Sequence, residues 1–357
     1  MLGSLRVLFD SSVTDFDRGG TSRYVASLLP RLHRLGATVD EVSMRAAWPW
    51  SARLPRHARI LLHDLAWIPR GSVVLGRARH ADLYHGAGFK VAPRAPFRTS
   101  VTIHDDTPWD DPPTARLYNR FYMRRVLEAA APNLAGAITT ADATAEAIAG
   151  RLPILRPRLH VAPLGVDHDL FRARPAAEIE ATLRQLGADP PFVLLVGPYG
   201  SRKNLGAMLR ALGKARDATP GLGAVVVGRH DPIPDGTLPL VRAGRVDDDR
   251  LAGLYGGAEL LLFASLKEGF GLPIVEAMAC GCPVLTSRGT VLEEIGGDAV
   301  ALADPNSETD LASACRRLLT DAGERRRLAA AGLRRATQFT WEETARLTVA
   351  AWEKMLA

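Results

Sequence analysis

Cysteine is scarce in this chain of 357 residues: only Cys280, Cys282 and Cys315 occur. They form no CxxC pair and have no histidine cluster beside them, which argues against a disulfide framework or a zinc site and fits a reducing compartment. Long apolar runs are also missing. Nothing approaches the ~18–20 uninterrupted apolar residues of a membrane span, and the alanine-rich stretch 129–149 is broken by Pro132, Asn133, Asp142 and Glu146. The first apolar run, in MLGSLRVLFDSS, is too short for a signal-peptide core and reads as a buried first strand. The expected location is cytoplasmic, with any membrane contact peripheral. The GxGxxG dinucleotide fingerprint is absent, which speaks against a dehydrogenase. No tandem repeat, low-complexity tract or long linker interrupts the chain, and no recognised nucleic-acid-binding motif supports a nucleic-acid partner.

What is present is an ordinary globular composition, 47% hydrophobic and 24% charged, in a chain longer than a single core usually grows; two domains are therefore expected. The net charge of +6 is unevenly placed. Residues 1–165 hold 22 Lys+Arg against 14 Asp+Glu, and the remainder holds 23 against 25. A basic N-terminal half suits an anionic partner, or simply reflects arginines solvating helix faces.

Strand and helix patterns alternate through both halves. LRVLF (5–9) is strand-like, and 23–36 has helical spacing with Gly36 as its stop signal. Residues 81–86, 99–104, 135–140 and 158–162 read as further strands, and the proline-rich stretch 153–163 closes the first domain. A second cycle opens with FVLLVG (192–197), a continuous apolar strand of the kind buried on both faces of a parallel sheet. Helix 204–218, strand 224–228, helix 251–257, strand 259–263, helix 273–280 and strand 284–286 follow, with helices over most of 308–357. Such alternation implies two doubly wound α/β domains facing each other across a cleft. Asp247, Asp248 and Asp249 precede the helix at 251 and are read as its cap rather than as a metal site.

The chemistry concentrates in a few loops. Glu268-Gly-Phe-Gly-Leu-Pro-Ile-Val-Glu276 places two glycines between carboxylates, then Pro273 at the first position of a helix with Glu276 in its first turn. Loop amides and a helix start make an anion- and hydroxyl-binding surface, and the carboxylates can accept hydrogen bonds from vicinal sugar hydroxyls. A helix cap would explain one of them, not both. Gly200-Ser201-Arg202-Lys203-Asn204 follows the buried strand with two adjacent cations, suited to a diphosphate or to a solvated loop. Asp17-Arg18-Gly19-Gly20-Thr21 joins the first strand to its helix, and its glycines permit close backbone approach or a plain turn. His104-Asp105 lies at a strand's carboxyl end. Arg116, Arg120 and Arg124 fall on one helical face with Leu117, Phe121 and Tyr122 interleaved, and 45–70 combines Trp48, Trp50 and Trp67 with arginines.

The segment SLKEGFGLPIVEAMACGCPV closely resembles the signature of the family 4 glycosyltransferases, retaining enzymes of the GT-B fold with a Glu-x7-Glu motif, and the resemblance covers nearly the whole chain. It implies a GT-B architecture: two Rossmann-like domains, an acceptor domain over 1–165 and a nucleotide-sugar domain over 166–338, with a last helix over 339–357 crossing back to the first. It implies that Glu268 contacts the transferred sugar and Glu276 the ribose, with Gly269, Phe270, Gly271 and Leu272 in the donor-binding set. Arg202 and Lys203 would hold the diphosphate; in many members an arginine directly follows the glycine ending the strand, where Pro198 stands here, so Arg202 takes that part. Gly19 and Gly20 match the family's first glycine-rich loop, and His104 the histidine near the reacting carbon, with Asp105 orienting it. No metal or other cofactor is implied, the nucleotide sugar being a substrate. GDP-mannose is the favoured donor, because the RKN and TIHD sequences look like those of bacterial polysaccharide mannosyltransferases; UDP- and dTDP-sugars stay open. The acceptor is not readable. Some family members dock on membranes through basic, aromatic N-domain helices, which both arginine-rich stretches could do; each taken alone reads rather as a solvated helix face or ordinary core. A GT-B sugar-nucleotide epimerase and a catalytically silent nucleotide-sugar-binding protein are the rival readings.

Overall fold

The computed structural model describes the chain apart from residues 1–4, 16–18, 56–57, 60–61, 63–79, 90, 92–97, 111–116, 198–199 and 229–237, with side chains at 46–47 and 117–122 also outside the description. It divides into two compact units, one of residues 1–165 with 341–357 and one of residues 166–340.

The first unit is built on a six-stranded sheet in the order β2-β1-β3-β4-β5-β6. The strands are β1 (Arg6–Asp10), β2 (Thr38–Val42), β3 (Leu83–Gly86), β4 (Arg98–Thr102), β5 (Leu134–Thr139) and β6 (Leu159–Val161). All its pairings are parallel. Between strands run α1 (Gly20–Arg34), α2 (Leu117–Ala130) and α3 (Asp142–Arg151). Helix α1 turns Tyr24, Val25, Leu28, Leu29 and Leu32 inward, the stripe that 3.6-residue periodicity gives an amphipathic helix. It starts three residues before the position the periodicity predicts.

The second unit repeats the plan. Its strands are β7 (Phe192–Val196), β8 (Gly223–Val227), β9 (Leu240–Gly244), β10 (Leu260–Phe263), β11 (Val284–Ser287) and β12 (Ala301–Ala303). They are all parallel in the order β12-β11-β10-β7-β8-β9. Its helices are α4 (Ala176–Leu186), α5 (Leu205–Ala215), α6 (Asp248–Gly257), α7 (Leu272–Ala279), α8 (Glu308–Thr320) and α9 (Ala322–Ala336). Every residue of β7, β8, β10 and β11 is buried, as strands covered on both faces require. The last helix, α10 (Trp341–Leu356), belongs to the first unit. Trp341 and Trp352 are sunk in the core there, Arg31 pairs with Glu342 at 2.7 Å, and Arg98 donates to the carbonyl of Met355 at 2.6 Å.

Three strands escape the apolar-run reading: β2, β9 and β12. All lie at sheet edges, where burial is partial in β2 and β9 and β12 has only three residues. In β2 and β9 polar residues are tolerated, so the run of apolar residues is lost; β12 is apolar but too short to stand out as a strand. The aspartate triplet is a cap: Asp247 accepts from the backbone N–H of Arg250 at 2.8 Å, and α6 begins at Asp248. The three cysteines are free and buried. Among the described residues no helix is long and apolar enough to cross a membrane, and no cluster of His, Cys, Asp and Glu is placed to hold a metal ion.

Helices α4 and α6 pack closely because Gly253 has no side chain; a Cβ there would lie 2.8 Å from the Cβ of Thr182. Gly253→Ala is therefore expected to cost about 1–3 kcal/mol through overpacking, lowering the unfolding midpoint by about 2–4 °C per kcal/mol. Gly150→Ala, in α3 with open space around it, should stabilise by about 0.5–1 kcal/mol instead. Thermal melts of the two variants check the contrast.

Candidate active site

In the second sheet the strand order reverses between β7 and β10, whose chain neighbours β8 and β11 lie on opposite sides. A doubly wound sheet opens a crevice at such a point, outside the carboxyl ends of the strands. The loop leaving β7 turns through a short 3₁₀ helix, Ser201–Lys203, and the loop leaving β10 carries Ser265 to Gly271. Lys203 and Glu268 meet there: Nζ lies 2.5 Å from Oε1, with side chains only 11% and 9% exposed. The ammonium also sits 5.1 Å from the centre of the Phe263 ring, a favourable placement for a cation.

The backbone holds this pair in register. Leu266 N–H donates to the carbonyl of Arg202 at 2.8 Å. Asn204 takes a left-handed φ of 57°, and its side-chain amide donates to the carbonyls of Ala264 (3.1 Å) and Pro305 (2.7 Å). Arg202 thus shares a three-residue turn with Lys203, clamped against the Glu268 loop.

Gly271 opens α7 with φ of 102°. Only glycine adopts that freely, and a Cβ there would collide with Leu292. No described side chain caps the helix; of its first residues Pro273 brings no N–H and the Ile274 N–H donates to the carbonyl of Gly271 at 3.0 Å, so what this end offers an anion is chiefly the dipole of the helix start. The helix starts at Leu272 rather than at Pro273, so Pro273 is its second residue and Glu276 its fifth, on the second turn instead of the first. Glu276 is 2% exposed, and its Oε2 accepts from the Tyr255 hydroxyl at 3.1 Å. The Phe270 ring is buried edge-on against Phe339, centroids 5.7 Å apart, so this residue offers the crevice its backbone; Gly269 and Leu272 flank the same turn.

In the first unit the order reverses between β1 and β3. The loop after β3 passes Gly88, where a Cβ would lie 2.6 Å from Thr21 Cγ2 and 3.7 Å from His104 Cδ2. Gly88 thereby brings together the start of α1 and the loop after β4. Gly19 precedes α1 and Gly20 begins it, both exposed, while Asp17 and Arg18 lie outside the described residues. Asp105 Oδ1 accepts from the backbone N–H of Thr107 at 3.0 Å and from its hydroxyl, so Asp105 shapes the turn that follows His104. The described site residues form two groups, His104 with Asp105, Gly19 and Gly20 in the first unit, and the rest in the second.

Sequence reasoning missed the polar chain behind His104. The His104 ring lies edge-on to Tyr24 at 5.0 Å, and the Tyr24 hydroxyl shares a hydrogen bond with Thr102 Oγ1 at 3.0 Å. Thr102 Oγ1 is 2.9 Å from His85 Nε2, and Trp352 Nε1 donates to His85 Nδ1 at 3.2 Å. That donation assigns the proton of neutral His85 to Nε2. Burial, aided by the charge of His104, pushes His85 from 6.5 down to about 3, and burial pushes Tyr24 up to about 12. Buried Asp10 was missed as well; it accepts from the Tyr84 hydroxyl at 2.6 Å and the backbone N–H of Ser12 at 2.9 Å. Its signal was a carboxylate ending an otherwise apolar strand.

Of the arginine-rich stretches, Arg124 is paired with Glu128 at 2.8 Å, and Trp48 stacks on exposed Trp50 at 6.3 Å. Arg116, Trp67 and the side chain of Arg120 lie outside the described residues.

His85 supplies a pH prediction. Unfolded, it takes up a proton near 6.5; folded, only near 3. Between those values the unfolded chain binds the extra proton, so stability present above pH 6.5 is lost as the pH falls, by about 1.4 kcal/mol per unit from this residue. Denaturant unfolding between pH 6 and 4 should show a slope shallower by about that amount in His85→Gln.

Residues 18–170 match the family model described as Glycosyltransferase Family 4, and residues 240–335 the one described as Glycosyl transferases group 1. Among curated proteins the chain is similar to the MMP alpha-(1->4)-mannosyltransferase of Mycolicibacterium hassiacum, 27% identical over 92% of this chain and 82% of that protein. It is similar also to the O-antigen chain mannosyltransferase B of Escherichia coli, 28% identical over 76% of this chain and 74% of that protein. Among solved structures it shares its fold with sucrose-phosphate synthase from Thermosynechococcus elongatus (TM-score 0.75, 23% identity, 98% of each chain). It shares it too with Anabaena HepE in complex with UDP-glucose (TM-score 0.75, 19% identity, 98% of this chain and all of that one). With both family models matched in order and both sheets of the fold in place, the chain belongs to the family 4 glycosyltransferases and is an enzyme of the GT-B fold.

Proposed function

We propose that this glycosyltransferase moves a mannosyl group from GDP-mannose to an acceptor hydroxyl, on a glycan, lipid or small molecule, with retention of anomeric configuration. The observation that carries the reading is the desolvated Lys203–Glu268 pair at the β7/β10 crevice, beside the uncapped start of α7. The mannosyltransferase relatives favour the mannosyl donor.

In this reading Lys203 and Arg202 take the diphosphate, whose negative charge grows as the bond to the sugar breaks; fixed cations at that position lower the barrier. Glu268 accepts a hydroxyl of the transferred sugar with the oxygen that Lys203 leaves open, and Glu276 accepts the ribose hydroxyls. His104 contacts the sugar near the reacting carbon. The acceptor oxygen bonds to the anomeric carbon on the face the diphosphate leaves, and its proton passes to the departing phosphate oxygen. The cations supply the positive charge the leaving group needs, so turnover is proposed to proceed without a metal, in a protein working at the cytoplasmic side.

Melting in millimolar GDP, UDP, dTDP and ADP tests the donor class, because a ligand of the folded state raises the midpoint. GDP should give the largest rise, and Glu276→Ala should abolish it; a larger rise with UDP would replace the mannosyl donor. Turnover should survive EDTA, and the product should keep the donor's anomeric configuration by NMR. Conversion of the donor to an isomeric sugar nucleotide without acceptor would favour an epimerase instead.

A further inference from the structure

Asn204 answers two demands at once. It stands at a left-handed φ of 57°, a region that asparagine enters more readily than most residues with a side chain. Its side-chain amide spends both hydrogens on carbonyls of two other loops, that of Ala264 after β10 at 3.1 Å and that of Pro305 after β12 at 2.7 Å. Both anchors are themselves fixed. Ala264 is fully buried, and its N–H reaches Met208 Sδ at 3.2 Å. Pro305 lies in a turn closed by Asn306 N–H on Asp304 Oδ1 at 2.9 Å, by Ser307 N–H on the Asp304 carbonyl at 3.1 Å and by Asp304 N–H on Asp310 Oδ2 at 2.8 Å. The main chain of Asn204 closes the turn Ser201–Lys203 behind it, donating to the Ser201 carbonyl at 3.4 Å, and starts α5 ahead of it, accepting from Met208 N–H at 3.1 Å. One residue thus holds three loop segments and a helix start together, directly after the two cations.

Resting on the assignment of Arg202 and Lys203 to the diphosphate, we propose that Asn204 is a positioning residue for diphosphate binding, which holds the cation-bearing turn in its ligand-ready place through the Ala264 and Pro305 carbonyls. A lysine ammonium on a four-carbon stem is intrinsically mobile, so where its charge stands depends on where its backbone is held. With the turn tied to the β10 loop, Lys203 Nζ meets Glu268 and the Phe263 ring at once. A loop already held in its bound form loses little entropy when the ligand arrives. Without the amide, the turn must be ordered anew at each binding event, and the carbonyls of two buried residues lose a donor. Glycine would keep the left-handed turn and drop the tether. Aspartate would keep the shape and set a carboxylate, which only accepts, against two carbonyls.

The test is calorimetric binding of GDP, with UDP in parallel, to the full chain carrying Asn204→Gly, Lys203→Met or both. Asn204→Gly should keep the fold, since glycine takes the left-handed turn freely, and should bind the nucleotide about 10-fold more weakly than wild type. In the Lys203→Met background the same change should cost only about 2-fold, because a cation that is gone cannot be misplaced. A residue that serves the fold alone would lower the melting temperature and leave nucleotide affinity unchanged. One that acts on the ligand by itself would cost the same factor in both backgrounds. Either result overturns the proposal. If Lys203→Met binds as tightly as wild type, or wild type binds neither nucleotide, the diphosphate assignment falls and the proposal falls with it. Asn204→Asp serves in the same cycle if the glycine variant fails to fold. Its added charge acts with Lys203 present or absent, so only the positioning loss disappears in Lys203→Met, and an equal loss in both backgrounds again contradicts the proposal.

Discussion

A lysine ammonium and a glutamate carboxylate held 2.5 Å apart and nearly out of water are costly to bury. Desolvation of two charges commonly outweighs their mutual attraction, and an apolar pair of the same size would often serve stability as well or better. Much of the second unit's local structure makes the pair possible. The β7 and β10 strand ends bring the two loops side by side, Phe263 gives the ammonium an aromatic face, and Asn204 bends the chain through a left-handed residue while tying it to Ala264 and Pro305. Gly271 then turns the loop directly into α7 without a capping side chain. A fixed cation, a fixed carboxylate and a helix start without a capping side chain within one loop pair suit an anionic, hydroxyl-rich ligand.

The first unit uses the same sheet logic and buries polar groups of its own. Its buried polar chain, from Trp352 through His85 and Thr102 to Tyr24, is uncharged at ordinary pH because burial keeps His85 deprotonated. It ends against the ring of His104. The C-terminal helix therefore does more than cover the sheet: its Trp352 fixes the tautomer of a histidine two hydrogen bonds from the tyrosine that flanks His104.

Most of this fold was legible because central strands of a parallel sheet are continuous apolar runs. FVLLV and LLLF can hardly be anything else, and the helices between them carry a clear periodicity. The edge strands hid, since TVDEV and LVRAG are half-exposed and need no apolar run. The candidate site was legible where short loops carry the chemistry: Arg202 beside Lys203 in one loop, and Glu268 close to the glycines around Phe270 in another. It was not legible where partners come from distant elements. Nothing local links Tyr255 to Glu276, or His85 to Trp352, across 267 positions. Nor did spacing show that Lys203 and Glu268, assigned to separate parts of a donor, are partners of each other.

The central claim is that these two residues act as one unit in seating the donor. A double-mutant cycle with Lys203→Met and Glu268→Gln, read as GDP-mannose affinity by calorimetry, tests it most directly. The account predicts strong non-additivity, with each single variant losing nearly as much as the double and a coupling on the order of 2 kcal/mol. Losses that simply add would mean that the lysine and the glutamate serve the ligand independently, and would contradict it.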